Sequence, residues 1–167
     1  MEFFTATCLN WQNLLADDLH KDIIVNSLDF LVSENRIWVY GFVIMPNHIH
    51  LLWCKQDAWI EKNIQLMFMR YTAQHIKFAM QKVNHPELPN YLSTQGDREY
   101  QFWERRPHIA TMYNREVAEQ KLDYIHNNPV KANLCIYPEN YKYSSAAFYK
   151  LNDEKLWPFL THYAEHI

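Results

Sequence analysis

The chain has only two glycines in 167 residues, Gly41 and Gly96. Glycine-rich phosphate loops need backbone groups that approach a phosphate without side chains in the way, so Walker and dinucleotide fingerprints are excluded as the basis of a nucleotide site. Three cysteines, Cys8, Cys54 and Cys135, lie far apart with none in a C-x-x-C pair. Neither a disulfide framework nor a sequence-local zinc knuckle is indicated, and reduced thiols acting as small buried apolar groups are the expectation. No run reaches the about 18 apolar, uncharged residues that span a bilayer, and MEFFTATCLN lacks a basic region followed by a long apolar stretch. A cytoplasmic protein with no membrane partner is expected. Strong positive charge is missing too, since the net charge is −3. Indiscriminate nucleic-acid binding is therefore disfavoured, although the segment 61–110 carries Lys62, Arg70, Lys77, Lys82, Arg98, Arg105 and Arg106 and could form a local basic surface.

What is present is length enough for one domain with a core of its own, and a high aromatic content of 16%. Phe3 to Leu9 reads as a strand. From Asp17 to about Asn35, Leu19, Ile23, Ile24, Leu28 and Leu31 recur at steps of three and four, as on an amphipathic helix. Arg36 to Ile44 and His48 to Cys54 are β-rich runs separated by Met45-Pro46-Asn47, which predicts a hairpin with the histidines at the start of its second strand, at a sheet edge or end.

Ala58 to about Val83 has a helical pattern, with Ile64, Met67, Phe68, Tyr71, His75, Phe78 and Ala79 as its stripe. His85 to Gln95 reads as a loop, and Tyr100 to Glu104 and His108 to Tyr113 as short strands. Asn114 can cap a helix from Arg115 to about Asn127, ended by Pro129. A short helix follows through Ser144 to Leu151, and a tail over 152–167, with Trp157-Pro158-Phe159, is expected to pack on the single domain 1–167. This order predicts an α+β architecture, with helices on an antiparallel sheet.

Two features carry chemistry. His48 and His50 bracket Ile49 on a strand, so the imidazoles share a face and can meet at one metal ion, or can be half-buried rings satisfied by backbone carbonyls. Tyr124 and Asn128 are four apart on the later helix, so a phenol and an amide point the same way, whereas His126 faces elsewhere.

PNHIHLL followed by YIHNNPVKANL resembles the single-tyrosine HUH transposases, and among them the REP-associated tyrosine transposases. The resemblance extends through FFTATCL, FVIMPNHIHLLW, FWERR and YKYSSAAFY, and ends near Asn152. It implies a ferredoxin-like α+β domain, an antiparallel sheet with flanking helices, that cuts and rejoins single-stranded DNA beside a hairpin. His48 and His50 match the HUH pair and Tyr124 the nucleophile, while Asn128 matches the position of a third ligand. The implied cofactor is a divalent metal. Imidazole and oxygen donors without thiolate suit Mg²⁺ or Mn²⁺, and zinc accepts such ligands too. Arg70, Arg105, Arg106 and Lys131 are candidate DNA contacts, with Trp103 either a stacking platform for an unpaired base or a core residue. The acidic net charge predicts few contacts, concentrated around the active site. Monomer and homodimer both stay open, as does a domesticated hairpin-binding module that no longer transfers strands. The reading makes one structural demand: the Arg115 helix must turn Tyr124 toward the histidines.

Overall fold

The computed structural model describes residues 1–166. The chain runs β1 (Glu2–Thr7), α1 (Asp18–Ser33), β2 (Ile37–Ile44), β3 (His48–Lys55), α2 (Ile64–Lys82), β4 (His108–Thr111), α3 (Arg115–Lys131) and α4 (Ala146–Leu151). The sheet order is β2-β3-β1-β4, with every neighbouring pair antiparallel. Each of the connections through α1 and α2 skips one strand, so β1 to β4 form a ferredoxin-like βαββαβ unit to which α3 is appended. The expected α+β sheet with flanking helices is what the structure has.

Asparagine does much of the local work. Asn63 and Asn114 cap α2 and α3, accepting from Leu66 N at 2.9 Å and Val117 N at 3.0 Å, and Asp17 does the same for α1. Beyond the ends of the four helices, Asn35, Asn84, Asn133 and Asn152 take left-handed backbone with φ between 49° and 56°, the conformation more often given to glycine. Neither glycine has positive φ. Four asparagines thus supply the turns that so few glycines cannot.

The pleat sorts β1 and β3 onto two faces. Phe4, Ile49, Leu51 and Trp53 point to one side, where Ile24 and Leu28 of α1 and Phe68 of α2 close a dry core. Phe3 and Leu52 point to the other, beneath Ala118, Leu122 and Ile125 of α3. A bulge between Val39 and Gly41 lets Tyr40 and Gly41 both serve the α3 side. The tail docks at β2, where Thr161 N donates to Val39 O at 2.9 Å and Trp157 Nε1 to Ser144 O at 3.2 Å. The free edge of β2 is thereby covered.

Four sequence expectations are corrected. Tyr100 to Glu104 is not a strand: single bridges, Leu92 to Tyr100 and Cys8 to Trp103, hold an irregular segment. Pro129 lies inside α3, which continues to Lys131, so the helix gives up the bond to Ile125 O but runs only two residues further. A separate turn at Asp57–Trp59 precedes α2, which begins only at Ile64. The buried stripe of α2 is Ile64, Phe68, Thr72, Ile76 and Met80, so Met67, Tyr71 and Phe78 face outward. Thr72 can lie in the core because its hydroxyl donates to Phe68 O at 2.9 Å and accepts from Trp103 Nε1 at 3.2 Å.

Candidate metal and nucleophile site

His48 and His50 open β3, opposite Thr7 and Thr5 of β1, and their rings stand 4.8 Å apart on the α3 face. They lie at the end of a central strand rather than on a sheet edge. Each has its Nδ1 occupied. His48 Nδ1 donates to Asn47 Oδ1 at 2.7 Å, and His50 Nδ1 shares a 2.7 Å hydrogen bond with Thr5 Oγ1. Bonds of this kind orient an imidazole and leave the Nε2 lone pair for a ligand.

The buried His50 Nε2 has no hydrogen-bond partner among the described residues. Leaving such an atom unpaired costs about 1 to 3 kcal/mol, a cost that a bound ligand would remove; Arg36 Nε and Trp53 Nε1 are buried and unpaired as well. Burial, helped by the neighbouring charges of His48, Lys121 and His108, pushes the His50 imidazolium down to about 3. Burial also pushes His48 down, while the Asn128 side-chain oxygen, placed to accept from the protonated ring, works in the opposite direction. Both rings are therefore neutral near pH 7, the form that binds a metal.

Helix α3 brings the remaining groups. The Tyr124 ring lies 5.1 Å from His50 and 6.1 Å from Phe3, centroid to centroid, and is 41% exposed. Phe3 in turn stacks on His50 at 5.4 Å. One turn on, Asn128 is near enough to His48 to influence its protonation. His126, by contrast, is buried on the far side of the helix, its Nε2 2.9 Å from Ser145 Oγ. Among the described residues no three His, Cys, Asp or Glu side chains gather on one point. The available donor set is two imidazoles and an amide, and the unpaired Nε2 fits it to a divalent cation.

Positive charge comes from Lys131, whose Nζ is 5.5 Å from the Tyr124 ring centroid, and from Lys121, 5.8 Å from the same ring. Lys121 is absent from the residues singled out in the sequence, although its place one turn before Tyr124 would have marked it. Thr5 and Trp11 could not be found from sequence, because only the strand register and the path of the following turn carry them to the histidines.

The other basic candidates lie elsewhere. Arg70 and Arg105, with Arg98, line a groove of about 750 Å³ between α2 and the 97–109 segment, on the face of the sheet away from His50. Asp97 pairs with Arg105 at 3.1 Å and Arg98 at 2.7 Å. Arg106 is exposed beyond that groove. Trp103 is 4% exposed, with both faces in the core, so stacking on an unpaired base is closed to it. The basic residues named from the sequence are thus divided between the two faces, with Lys131 beside Tyr124 and Arg70 and Arg105 in the opposite groove.

No protein-family model matches the chain, and no curated protein matches it. Among solved structures, a REP-associated tyrosine transposase bound to a REP hairpin superposes with a TM-score of 0.62 at 17% identity, over 95% of this chain and 82% of that one. A Deinococcus radiodurans protein described as a candidate transposase covers 76% of this chain and 89% of its own, with a TM-score of 0.49 and 16% identity. Among the described residues no helix is long and apolar enough to cross a membrane. The chain therefore has the fold of a REP-associated tyrosine transposase.

Proposed function

We propose that this protein cuts and rejoins single-stranded DNA beside a hairpin, with Tyr124 as nucleophile and a divalent metal, Mg²⁺ or Mn²⁺, held by His48, His50 and Asn128. The reading rests on one observation above others: the exposed Tyr124 ring meets His50 at 5.1 Å, on the residue whose buried Nε2 is unpaired. When bound, a cation would supply Lewis-acid polarisation of a nonbridging phosphate oxygen. The phenol oxygen of Tyr124 attacks phosphorus, the P–O3′ bond breaks, the phenolic proton is lost and O3′ gains a proton. The products are a 5′-phosphotyrosine and a free 3′-hydroxyl. Since the phosphodiester is exchanged rather than hydrolysed, another 3′-hydroxyl can reverse the step without a nucleotide cofactor. Lys121 and Lys131 bring positive charge to the side from which the phosphate must approach. The hairpin as partner is suggested by the DNA bound to the structural neighbour.

The test is incubation with Mn²⁺ and hairpin oligonucleotides carrying single-stranded flanks. A protein–DNA adduct that survives denaturing electrophoresis and vanishes in Tyr124→Phe is expected. An adduct that persists in that variant removes the assignment, and hairpin binding without any adduct points to a binding module that has lost strand transfer.

A further inference from the structure

Trp11 is the most exposed tryptophan among the described residues, 62% accessible, and it has φ of 57° directly after Asn10 at 53°. A bulky residue in left-handed backbone is unfavourable by about 1 to 3 kcal/mol and persists only where its surroundings hold it. They do so here. Asn10 N donates to Glu104 Oε1 at 2.8 Å, Leu9 N to Phe102 O at 2.8 Å, and Trp11 N to Cys8 O at 3.0 Å. The turn that strains the backbone leaves the indole in water, with its ring centroid 5.8 Å from that of His48. An apolar side chain held in solvent at this cost, against a candidate ligand, is explained by something that covers it.

Four rings touch in sequence along this face: Trp11 on His48, His48 on His50, and His50 on Tyr124. The nucleophile stands at one end and the indole at the other. In-line displacement puts the departing O3′ on the side of phosphorus opposite the tyrosine oxygen. With the phosphate over the histidines, as proposed, that side faces Trp11, so the nucleotide that bears O3′ would run from Tyr124 toward His48 and Trp11. We infer that Trp11 is a stacking platform for the base on the 5′ side of the cut, holding the released 3′-hydroxyl strand in place for rejoining. This inference rests on the proposed role of Tyr124 and adds the path of the leaving strand. Aromatic stacking accepts any base, which suits a position whose task is retention.

The experiment has two arms. In a Tyr124→Phe background, where nothing is cut, binding of fluorescein-labelled dT12 with Mn²⁺ is followed by anisotropy. Trp11→Ala should bind about 5- to 100-fold more weakly, and Trp11→Phe should recover most of the loss. Equal binding by Trp11→Ala, or a Trp11→Phe as weak as Trp11→Ala, overturns the inference. In the second arm, an abasic nucleotide placed immediately 5′ of the cleaved phosphate should slow rejoining by the protein with Trp11 about 10-fold and leave Trp11→Ala unchanged. An abasic penalty of equal size in both proteins also overturns it. An adduct surviving Tyr124→Phe would remove the cleavage reading instead, and the dT12 result would stand apart from it.

Discussion

The two faces of the sheet are built from alternate residues of the same strands, yet they differ in kind. On β3, Ile49, Leu51 and Trp53 are at most 1% exposed beneath α1 and α2, in a core of aliphatic and aromatic groups. Their neighbours His48 and His50 face α3, where a smaller apolar cluster gives way to imidazoles, an amide and an exposed phenol. A period of two thus lets one strand hold the fold together with one set of residues and present chemistry with the other. Adjacent positions should then fail in different ways. Ile49→Ala removes a fully buried side chain and should cost about 2 to 5 kcal/mol in a urea melt, while the molecules that stay folded still bind Mn²⁺. His50→Leu removes an unpaired buried nitrogen but also the bond to Thr5, two effects of opposite sign, so stability should change by no more than about 1 kcal/mol while calorimetric Mn²⁺ binding is lost. Equal destabilisation by the two would show that the faces are not separate in function.

Acid should sharpen the same contrast. Burial holds His50 down to about 3 and His126 down to about 4, and both lie on the α3 side. In the unfolded chain each takes up a proton near its ordinary value of about 6.5. The unfolded state therefore binds more protons below that pH, and stability falls as acid is added. Stability from these groups is complete above about 6.5 and declines by about 1.4 kcal/mol per pH unit for each group, until the folded ring also titrates. His126→Gln should remove one of the two contributions, halving their joint slope between about pH 6 and 4 in melts of the metal-free protein. An unchanged slope would mean that acid attacks the structure somewhere other than His126.

Legibility in the sequence followed the range of the interaction. The H-x-H pair and the Tyr124-to-Asn128 spacing are local, so pleat and helical turn alone place them, and the demand that α3 face the histidines is one the structure meets. Thr5 opposite His50 depends on strand register, which no local pattern states. Helix α2 misleads because it is apolar on more than one side. Tyr71 and His75 look more like core than Thr72 does, and the threonine's burial is tolerable because its hydroxyl donates to Phe68 O and accepts from Trp103. That partnership also explains why Trp103 is unavailable to DNA, an assignment that exposure alone decides. The helix ends were obscured by their use of asparagine where glycine is the familiar signal.

The smallest effect concerns how closely the appended helix sits on the sheet. A Cβ on Gly41 would lie 2.4 Å from Leu122 Cδ2 and 3.3 Å from Ser145 Oγ, so β2 and α3 approach as they do only because that position is bare. Gly41→Ala forces the Leu122 methyl or the whole of α3 to move, at a cost of about 1 to 3 kcal/mol if the neighbours yield little. Tyr124 is two residues along the same helix, and displacement of a reacting group by about 1 Å can slow a reaction about 100-fold. Adduct formation should accordingly fall by more than the melting temperature suggests. Adding Leu122→Ala removes the atom in collision and should restore much of the adduct yield despite leaving a cavity, since the helix can then return to its place. If the double variant stays as slow as Gly41→Ala, the bare position serves β2 itself and not the placing of Tyr124.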